Sequence, residues 1–549
     1  MECTSVNLRL LLRFFVMILN PLLTGSSTPP NIILVVADDL GYNDVGFHGS
    51  EIFTPNLDKL AKTGVILENY YVSPSCTPSR SQLLTGRYGI HTGQIHNIRP
   101  LEPSCLSLDE VTVAEKLKGR NYRTHMVGKW HLGHCAYECT PTYRGFDSFL
   151  GILLGSGDHF EYSKRSRLKT EDEYHFGYDF WRNNTYAWAE RLSKTYSTTM
   201  YRNEALRIIS THDPKYPLFM YLSFQAPHAP MQVTREWLEQ NGGITDVKRR
   251  YVAGMVTALD AAVGELVNSL KSRGLWENTV LVFTTDNGGQ IKNGASNWPL
   301  RGGKGSYWEG GVRGVAFVNS PLIKKPGRRS RKLMHVSDWF PTFVHLSGGD
   351  LNGTKRLDGV NQWETISRNV PSPRKEVLIG ISTLTDLTLD RRRVNQKCRR
   401  YIPKLLRSCK NTKYPRRCLA KKGDFCFTYK GSRWCERAVI RRGKWKLLVG
   451  TQKPGNWVPA RGSGKSTYCS SLYENSKVLQ LFNIRKDPSE TMELSQIYPQ
   501  KVARLMAKLE TYRKHSVREM KLPEDIRGSP RYNRGIWGPW MSPKFSQLA

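Results

Sequence analysis

The sequence predicts an α/β fold in which a large sheet flanked by helices is followed by a smaller domain. Up to residue 371, short uninterrupted apolar runs alternate with amphipathic helical patterns, and such runs are typical of strands buried on both faces of a sheet. From Ser372 onward the runs are shorter and separated by turns, which predicts a small antiparallel sheet and a closing helix over residues 501–514. The 549 residues exceed the ~250–300 at which a single core stops growing, so two domains are expected.

Four apolar runs of strand length end in polar or charged side chains. The runs are residues 31–37, 122–127, 217–224 and 280–285. Ligands of open α/β sheets bind outside the carboxyl ends of the strands, so we expect the residues that follow the runs to converge on one pocket. Those residues are Asp38 and Asp39, Lys129 and His131, His228, and Asp286 and Asn287.

Helical patterns lie between these strands. Thr54 is expected to cap a helix that begins at Pro55 and stops at Gly64, and another helix is predicted from about Asp109 to Lys118. Apolar residues recur at helical spacing from Val252 to Leu270, which predicts a long amphipathic helix. These patterns supply the helices that flank the sheet.

The segment 75–87 is expected to place a reactive cysteine at the start of a short helix. Pro78 suits the first helical turn, where its missing N–H costs nothing, and Gly86 suits the end. The free N–H groups and the dipole at this end favour an anion, and Arg80, one turn after Cys76, faces the same side. The alternative interpretation is that Cys76 has only a structural role, ahead of a helix that begins at a proline.

The amino-terminal residues and the composition indicate a folded protein of the secretory pathway. Residues 1–27 have Arg9 ahead of a broken apolar run from Leu10 to Leu23, the pattern of a signal peptide, with a retained membrane anchor as the alternative. We expect no other membrane span and a lysosomal or extracellular protein with disulfides. The sequons at Asn183 and Asn352 predict N-linked glycans.

Residues 390–446 combine cysteines with an exceptional positive charge. They hold 21 Lys or Arg against three acidic residues, so 21 minus 3 contributes +18 to the net charge of +35. Such density implies a polyanionic partner, and on a secretory route this would be a sulfated glycosaminoglycan rather than nucleic acid; a merely solvated loop is the alternative. We interpret the stretch as a disulfide-stapled basic insertion, because the spacing of its cysteines is unlike paired zinc motifs: Cys398, Cys409, Cys418, Cys426 and Cys435.

The residues around Cys76 carry a family resemblance. Cys-Thr-Pro-Ser-Arg at 76–80, followed by Leu-Thr-Gly-Arg at 84–87, resembles the signature of the type I sulfatases, whose cysteine is oxidised to formylglycine (3-oxoalanine). Residues 128–133, 226–230 and 301–311 are also similar to this family, most of all to arylsulfatase B and its relatives. The chain is therefore identified as a member of the sulfatase family.

The resemblance implies an alkaline-phosphatase-like mixed sheet in a catalytic domain at 28–371 and a smaller C-terminal domain at 372–549. It implies hydrolysis of sulfate esters, such as the 4-sulfate of N-acetylgalactosamine in glycosaminoglycans, and maturation by the formylglycine-generating enzyme. It also implies a disulfide between Cys105 and Cys139. Two features depart from the family pattern, namely the basic insertion and Leu101, which stands where a further cysteine is expected.

The strand-end residues also suggest a metal site. Asp38, Asp39, Asp286 and Asn287 offer only oxygen ligands, which suit Ca²⁺ or Mg²⁺ better than zinc. The family resemblance implies one calcium ion held by these four residues and by the oxidised residue 76. A hydrated formylglycine there would attack the sulfate ester and afterwards release sulfate.

The resemblance further implies roles for the basic residues near the strand ends. Arg80, Lys129 and Lys304 would neutralise the sulfate ester. His131 would act as a base when sulfate is released, and His228, with Lys304, would protonate the departing alcohol. The substrate would be a sulfated carbohydrate or an aryl sulfate.

Two other functions are compatible with parts of the sequence. A phosphomonoesterase or phosphodiesterase of the same superfamily would commonly use Ser or Thr with two zinc ions, and Cys76 argues against it. A secreted polyanion-binding protein with weak or no hydrolase activity would depend on residues 390–446 more than on the pocket.

Overall fold

Helices cover both faces of a large mixed sheet, and a small antiparallel sheet follows it. The computed structural model describes residues 28–168, 173–383, 427–450, 452, 455–463 and 478–541. Within them, ten strands form the large sheet and four form the small one, so the expected α/β fold is confirmed. The predicted signal peptide and most of the basic insertion lie outside the described residues.

The strands are numbered here in chain order. The first nine are β1 (Asn31–Ala37), β2 (Val65–Tyr71), β3 (Arg123–Lys129), β4 (Ser148–Ile152), β5 (Ser163–Arg167), β6 (Tyr174–Tyr178), β7 (Trp181–Arg182), β8 (Thr185–Tyr186) and β9 (Leu218–Ser223). The others are β10 (Thr279–Thr285), β11 (Ala316–Asn319), β12 (Arg328–His335), β13 (Glu376–Thr383), β14 (Phe427–Tyr429), β15 (Ser432–Trp434), β16 (Glu436–Arg442), β17 (Trp445–Val449) and β18 (Leu479–Asn483).

The centre of the large sheet is parallel. Its strand order is β12-β2-β11-β10-β1-β9-β3-β4-β7-β8. The neighbours β10, β1, β9, β3 and β4 pair in parallel, whereas β11 runs antiparallel to β10, and β7 runs antiparallel to β4. The four strands with polar residues at their ends are therefore adjacent, and their carboxyl ends lie along one edge of the sheet.

The helices that flank the sheets are also numbered in chain order. They are α1 (Pro55–Thr63), α2 (Cys76–Thr85), α3 (Gly89–Thr92), α4 (Val113–Lys118), α5 (Trp188–Leu192), α6 (Ser197–Thr211), α7 (Arg235–Gln240), α8 (Val247–Ser272), α9 (Glu309–Val312), α10 (Trp339–Leu346), α11 (Trp363–Arg368) and α12 (Pro499–Lys514). None of the helices in the described residues is long and apolar enough to cross a bilayer.

The alternation of side chains along β1 shows how the sheet separates two cores. Ile33 and Val35 point to one face and pack with apolar residues of α1, α6 and α8. Leu34 and Val36 point to the other face and pack with residues of α2, α4 and α10. Because both faces are covered, every residue of β1 is buried, as the uninterrupted apolar run predicts.

The predicted helix at Thr54 is present, but the predicted cap is wrong. Thr54 directly precedes α1, yet its side chain makes no capping hydrogen bond to the helix. Its hydroxyl instead accepts a hydrogen bond from the Gly46 amide at 2.8 Å and donates one to Asp58 Oδ1 at 3.1 Å. One contact to the preceding loop and one to Asp58 of the helix itself have replaced the predicted cap.

The predicted helix at 109–118 begins later than expected. α4 starts at Val113, after a capping box in which Thr112 accepts from the Glu115 amide and Glu115 accepts from the Thr112 amide. This pair satisfies helix-end N–H groups, so the helix starts there rather than at Asp109.

The small sheet lies between a helix and the large domain. β13, β16, β17 and β18 are antiparallel neighbours, and one face packs on Val502, Leu505, Met506 and Leu509 of α12. The other face packs on residues of the large domain, among them Tyr71 and Trp308. The antiparallel sheet and closing helix expected after Ser372 are confirmed, while the proposed boundary near residue 371 stays a prediction.

Among the described residues, one disulfide has both of its cysteines described. Cys105 and Cys139 are bonded, as the family resemblance implies. Cys135 carries a buried free thiol whose Sγ lies 3.9 Å from Sγ of Cys139. Cys435 is also disulfide-bonded.

Candidate active site

Helix α2 carries Cys76 into the edge where the parallel strands end. The backbone of Ser75 is extended, the helix begins at Cys76, and Gly86 ends it in the left-handed conformation with φ of 70°. All residues of the helix are buried, and Sγ of Cys76 lies 3.5 Å from Oδ1 of Asp38. The predicted short helix with a cysteine at its start is confirmed.

The acidic strand ends meet as the sequence predicts. The side-chain amide of Asn287 donates to Oδ1 of Asp39 at 2.7 Å, and the Asp39 amide donates to Oδ1 of Asp286 at 3.3 Å. Asp39 adopts φ of 65°, in the left-handed region, so the chain turns sharply as it leaves β1. That turn brings two consecutive carboxylates to the same edge.

Three cations face the three carboxylates. All of these side chains are buried or nearly so, and each cation makes its shortest contact with a different aspartate. The formal charges of the three pairs therefore cancel. The pairs are Arg80 with Asp286 (Nη2 to Oδ2, 2.8 Å), Lys129 with Asp38 (Nζ to Oδ2, 2.5 Å) and Lys304 with Asp39 (Nζ to Oδ1, 2.6 Å).

Electrostatic attraction keeps the carboxylates ionised despite burial. Burial raises the pKa of Asp38, but its positive neighbours, with Lys129 the strongest of them, together outweigh burial and hold the pKa below its ordinary value. Burial likewise raises the pKa of Asp39, and its positive neighbours, led by Lys304, together bring it below the ordinary value. Both groups are therefore anionic oxygen donors at neutral pH.

Two oxygen atoms in this cluster fit a metal ion. Oδ2 of Asp39 and Oδ1 of Asn287 are buried and have no hydrogen-bond partner. Buried polar atoms are normally satisfied, so unpaired acceptors that face a pocket of carboxylates suit a hard cation. Ligand atoms of Asp38, Asp39, Cys76 and His228 also lie within 4.8 Å of one another. The donor set fits the divalent ion expected from the sequence.

His131 follows β3 and lies under a neighbouring loop. Its Nε2 lies 3.1 Å from the carbonyl oxygen of Ile98, which can only accept, so Nε2 carries the proton. Its Nδ1 is buried without a partner and is left as an acceptor. Burial, and then repulsion by Lys129 and Arg80, hold the pKa of His131 well below its ordinary value. The ring is thus a neutral imidazole with a free lone pair.

His228 approaches the carboxylates from the end of β9. Its Nδ1 lies 2.6 Å from the carbonyl oxygen of Ala229, and its Nε2 lies 3.7 Å from Oδ2 of Asp39. Burial, followed by repulsion from Lys304, lowers the pKa of His228 to about 4. An anion placed beside the ring would raise this pKa, because it favours the charged form.

The thiol of Cys76 is a poor nucleophile in this setting. Burial raises the pKa of Cys76 to about 12, although Lys129 and Lys304 act in the opposite direction. The thiolate is the reactive form of cysteine, and here it is scarce at neutral pH. Chemistry at this position therefore favours an oxidised side chain over the thiol.

Arg80 is more deeply engaged than the sequence suggests. Besides Asp286, its guanidinium donates to Oγ of Ser223 at 2.5 Å and to the carbonyl oxygen of Lys129 at 3.2 Å. It is fully buried, so in this structure it orients Asp286. The sequence analysis did not assign Ser223 to the site. Its position at the carboxyl end of β9, like that of the other strand-end residues, could have indicated it.

A second group of residues that the sequence did not reveal lies in residues 155–164. Gly155 packs so closely on His131 that a Cβ there would lie 2.4 Å from the ring Nε2. Lys164, on β5, contacts Oγ of Ser156 from the same segment. No motif marks this segment, because its polar and aromatic residues resemble any surface loop.

Comparison with known proteins agrees with this geometry. Residues 30–349 match the family described as Sulfatase. The chain belongs to the sulfatase family. It is 41% identical to arylsulfatase J of Mus musculus over 525 residues, which cover 94% of this chain and 81% of that protein. It is 34% identical to arylsulfatase A of Homo sapiens over 363 residues, which cover 64% of this chain and 70% of that protein.

A solved structure is similar to this chain over nearly its whole length. The crystal structure of Ps i-CgsB in complex with k-i-k-neocarrahexaose has a TM-score of 0.69 and 28% identity, and covers 92% of this chain and 98% of that chain. The named relatives are arylsulfatases and sulfatases, which are sulfuric ester hydrolases, and the family generally uses a formylglycine and a metal ion. The predicted family and enzyme class are therefore confirmed.

Proposed function

We propose that this sulfatase hydrolyses sulfate monoesters of sugars through a formylglycine made from Cys76. The observation that carries the proposal is the position of Cys76, with its Sγ 3.5 Å from Asp38 and within the ring of candidate metal ligands. A buried thiol of raised pKa has little use there, whereas an aldehyde that hydrates to a diol supplies a hydroxyl nucleophile. The formylglycine-generating enzyme would be the maturation partner.

The metal in this proposal is one calcium ion per chain. Asp38, Asp39, Asp286, Asn287 and the oxidised residue 76 would hold it, because their oxygens are the hard ligands that calcium prefers. When bound, the ion would neutralise charge on the ester and acidify a hydroxyl of residue 76. The three internal ion pairs already balance, so a divalent ion leaves the pocket positive and attractive to an anionic ester.

The histidines would move the protons. Nδ1 of His131 is an unpartnered acceptor, so His131 can take a proton from residue 76 when sulfate is released. His228 and Lys304 both approach Asp39, and from there they would protonate or stabilise the departing alcohol oxygen. Lys129 would add positive charge beside the sulfate, and Arg80 would act by orienting Asp286.

The substrate class follows from the relatives and from the charge of the pocket. N-acetylgalactosamine-6-sulfatase of Mus musculus is 30% identical over 383 residues, which cover 67% of this chain and 72% of that protein. Its name supports a sulfated N-acetylgalactosamine as substrate, and the carbohydrate-bound Ps i-CgsB supports a sugar. The 4-sulfate in a glycosaminoglycan is the form that the family resemblance of the sequence implies. Such a substrate is consistent with a secreted or lysosomal enzyme.

Mass spectrometry and kinetics test the proposal together. Protein from a eukaryotic secretory host should show an aldehyde at position 76 in the tryptic peptide 63–80 and should hydrolyse a generic aryl sulfate. Cys76→Ala should abolish this activity while the thermal melt stays that of a folded protein. Cys135→Ala is the matched control, because Cys135 is the other buried free thiol among the described residues. Activity in Cys76→Ala, or an untouched thiol in an active enzyme, would contradict the proposal.

A phosphoesterase function is the less favoured alternative. The phosphonate monoester hydrolase of Agrobacterium radiobacter shares the fold at a TM-score of 0.55 and 17% identity, a likeness that concerns the fold alone. The candidate ligands here are mainly carboxylate and amide oxygens around one position, which suits a single hard cation better than two zinc ions. Hydrolysis of an aryl phosphate in preference to the aryl sulfate would favour this alternative.

We also propose that residues 390–446 bind sulfated glycosaminoglycans. The supporting observation is their charge of +18, because most of the stretch lies outside the described residues. Deleting residues 390–426 should lower the salt concentration at which the protein leaves a heparin column. Unchanged heparin retention would remove this proposal and would leave the sulfatase proposal untouched.

A further inference from the structure

Lys164 is a cation beside the active site that forms no ion pair with a described carboxylate. Its Nζ donates to Oγ of Ser156 at 2.6 Å, and its side chain is partly buried. Lys129 and Lys304 each contact an aspartate, whereas none of the ion pairs among the described residues includes Lys164. A partly desolvated ammonium without a counter-ion is costly, so its presence needs a reason.

The segment that carries Lys164 runs from one proposed acid–base histidine to the other. Gly155, next to Ser156, packs directly on the ring of His131. Further along, Nε2 of His159 lies 3.0 Å from the carbonyl oxygen of His228. The segment therefore forms a wall of the pocket, and Lys164 stands on that wall.

The backbone of Lys164 is held in place rather than left loose. Its carbonyl oxygen accepts a hydrogen bond from Nε1 of Trp537 at 3.0 Å. The Asp158 amide donates to the carbonyl oxygen of Ser163 at 2.8 Å and closes the loop before β5. Side chains alternate along a strand, so Arg165 points the other way and stacks over the Tyr174 ring, 3.8 Å from its centroid. Lys164 is thus the cation of β5 that faces inward.

The electrostatics place the Lys164 ammonium within reach of the catalytic charges. Burial, and then repulsion by Lys129, lower the pKa of Lys164, and Lys304 acts in the same direction. Asp179 attracts it, but the two carboxylate oxygens of Asp179 accept from the Leu153 and Leu154 amides. An anion in the pocket would relieve the repulsion among the lysines.

We propose that Lys164 binds a second anionic group of the substrate, the carboxylate of a uronate beside the sugar that carries the scissile sulfate ester. This inference rests on the proposed sulfatase function. Lys129 and Lys304 contact the aspartates around residue 76, whereas Lys164 is tied to Ser156 on the pocket wall. The residue therefore selects polyanionic saccharides over singly charged esters.

Paired substrates test this role. The variants Lys164→Met, Lys164→Arg and Arg165→Met are assayed on an aryl monosulfate, on a sulfated uronate disaccharide and on the same disaccharide with its carboxylate reduced to an alcohol. Lys164→Met should lower kcat/KM for the charged disaccharide by about 10-fold to 100-fold, mostly through KM, because a hydrogen bond to a charged group is lost. Activity on the other two substrates should change by less than about 3-fold, as should all activities of Arg165→Met. Lys164→Arg should restore most of the preference.

The outcomes separate the two proposals. Equal losses on all three substrates would show that Lys164 serves the scissile sulfate or the fold, and would overturn the inference. Equal wild-type activity on the charged and the reduced disaccharide would also overturn it. A wild-type enzyme that cleaves no sulfate ester would instead defeat the proposed function, and the inference with it. A thermal melt of each variant identifies misfolding, and the Lys164→Arg variant keeps the test valid if Lys164→Met is unstable.

Discussion

Two buried clusters of opposite charges lie in this sulfatase, and they differ in what they leave unpaired. The catalytic-edge cluster consists of the pairs among Asp38, Asp39, Asp286, Arg80, Lys129 and Lys304. The interface cluster lies where the small sheet meets the large domain and consists of Tyr71, Glu309, Arg441, Lys446 and Glu490. Both are sheltered from solvent.

The interface cluster is built around one lysine. Nζ of Lys446, on β17, lies 2.9 Å from Oε1 of Glu309 and 2.8 Å from Oε1 of Glu490. The hydroxyl of Tyr71 donates to Oε2 of Glu309 at 2.7 Å, and Arg441 contacts the same hydroxyl. Ion pairs and hydrogen bonds thus link side chains of both domains, and the cluster connects the two sheets.

The catalytic-edge cluster keeps acceptors free instead. Oδ2 of Asp39, Oδ1 of Asn287 and Nδ1 of His131 are buried without partners. Unpaired buried atoms cost stability, so a cluster that retains them at the end of a parallel sheet is built for a ligand. The comparison teaches that burial and charge alone do not mark an active site; the catalytic edge differs because several unpaired acceptors converge there beside Cys76, where parallel strands end.

The largest expected effect is on the interface cluster. Lys446→Met should lower the free energy of unfolding by about 3–5 kcal/mol, because two buried carboxylates lose their partner. Urea unfolding measures this, with Lys444→Met as the control, because Lys444 is exposed in the turn just before β17. Activity per folded molecule should stay close to wild type. A variant as stable as wild type would mean that the interface tolerates unpaired carboxylates.

Removing a cation from the catalytic-edge cluster should act mainly on chemistry. Lys304→Met should reduce kcat/KM for an aryl sulfate by roughly 100-fold to 1000-fold, because a donor to the reacting oxygen is lost. The exposed Lys292 supplies the control variant Lys292→Met. Steady-state kinetics measure kcat/KM for both variants. A loss of less than about 5-fold in Lys304→Met would show that Lys304 has no catalytic role.

Calcium should distinguish the two clusters directly. At a concentration about 100 times its Kd, calcium should stabilise the wild-type protein by roughly 2.7 kcal/mol, seen as a rise in Tm. Asn287→Ala should lose much of this rise, because it removes an oxygen ligand, whereas Lys446→Met should keep it. The same calcium response in all three proteins would place the metal elsewhere.

The smallest expected effect is a change in pH dependence at the interface. Burial, opposed by Lys446 and reinforced by Glu309, raises the pKa of Glu490 to about 7. A raised carboxyl pKa favours the folded state at low pH, so this contribution is complete below the unfolded value of about 4.5 and is lost as pH rises toward 7. Glu490→Gln should flatten the fall in stability between these values by about 1–3 kcal/mol.

Thermal melts across this pH range measure the slope. Glu236→Gln, at an exposed position of α7, is the matched control and should retain the wild-type slope. A Glu490→Gln variant with the wild-type slope would assign the pH dependence to other groups.

The sequence determined four central strands of the large sheet and the residues at their ends. β1 coincides with the predicted run at 31–37, because a strand buried on both faces must be apolar throughout. The strand-end residues and Cys76 could be assigned to one pocket, since parallel strands end along one edge. The same local logic gave the start of α2 at Cys76 and its end before Gly86.

Tertiary structure decided which buried charges pair and which atoms stay free. Lys446 and Glu309 are 137 residues apart in sequence, and no local pattern links them. Thr54 precedes its helix as predicted, yet its hydroxyl does not cap the helix. It accepts a hydrogen bond from the Gly46 amide and donates one to Asp58. Lys164 likewise looked like any surface lysine until the loop fold turned it toward the pocket. The energy of a charge depends on its burial and its distance to other charges, and only the packing of the two sheets fixes both.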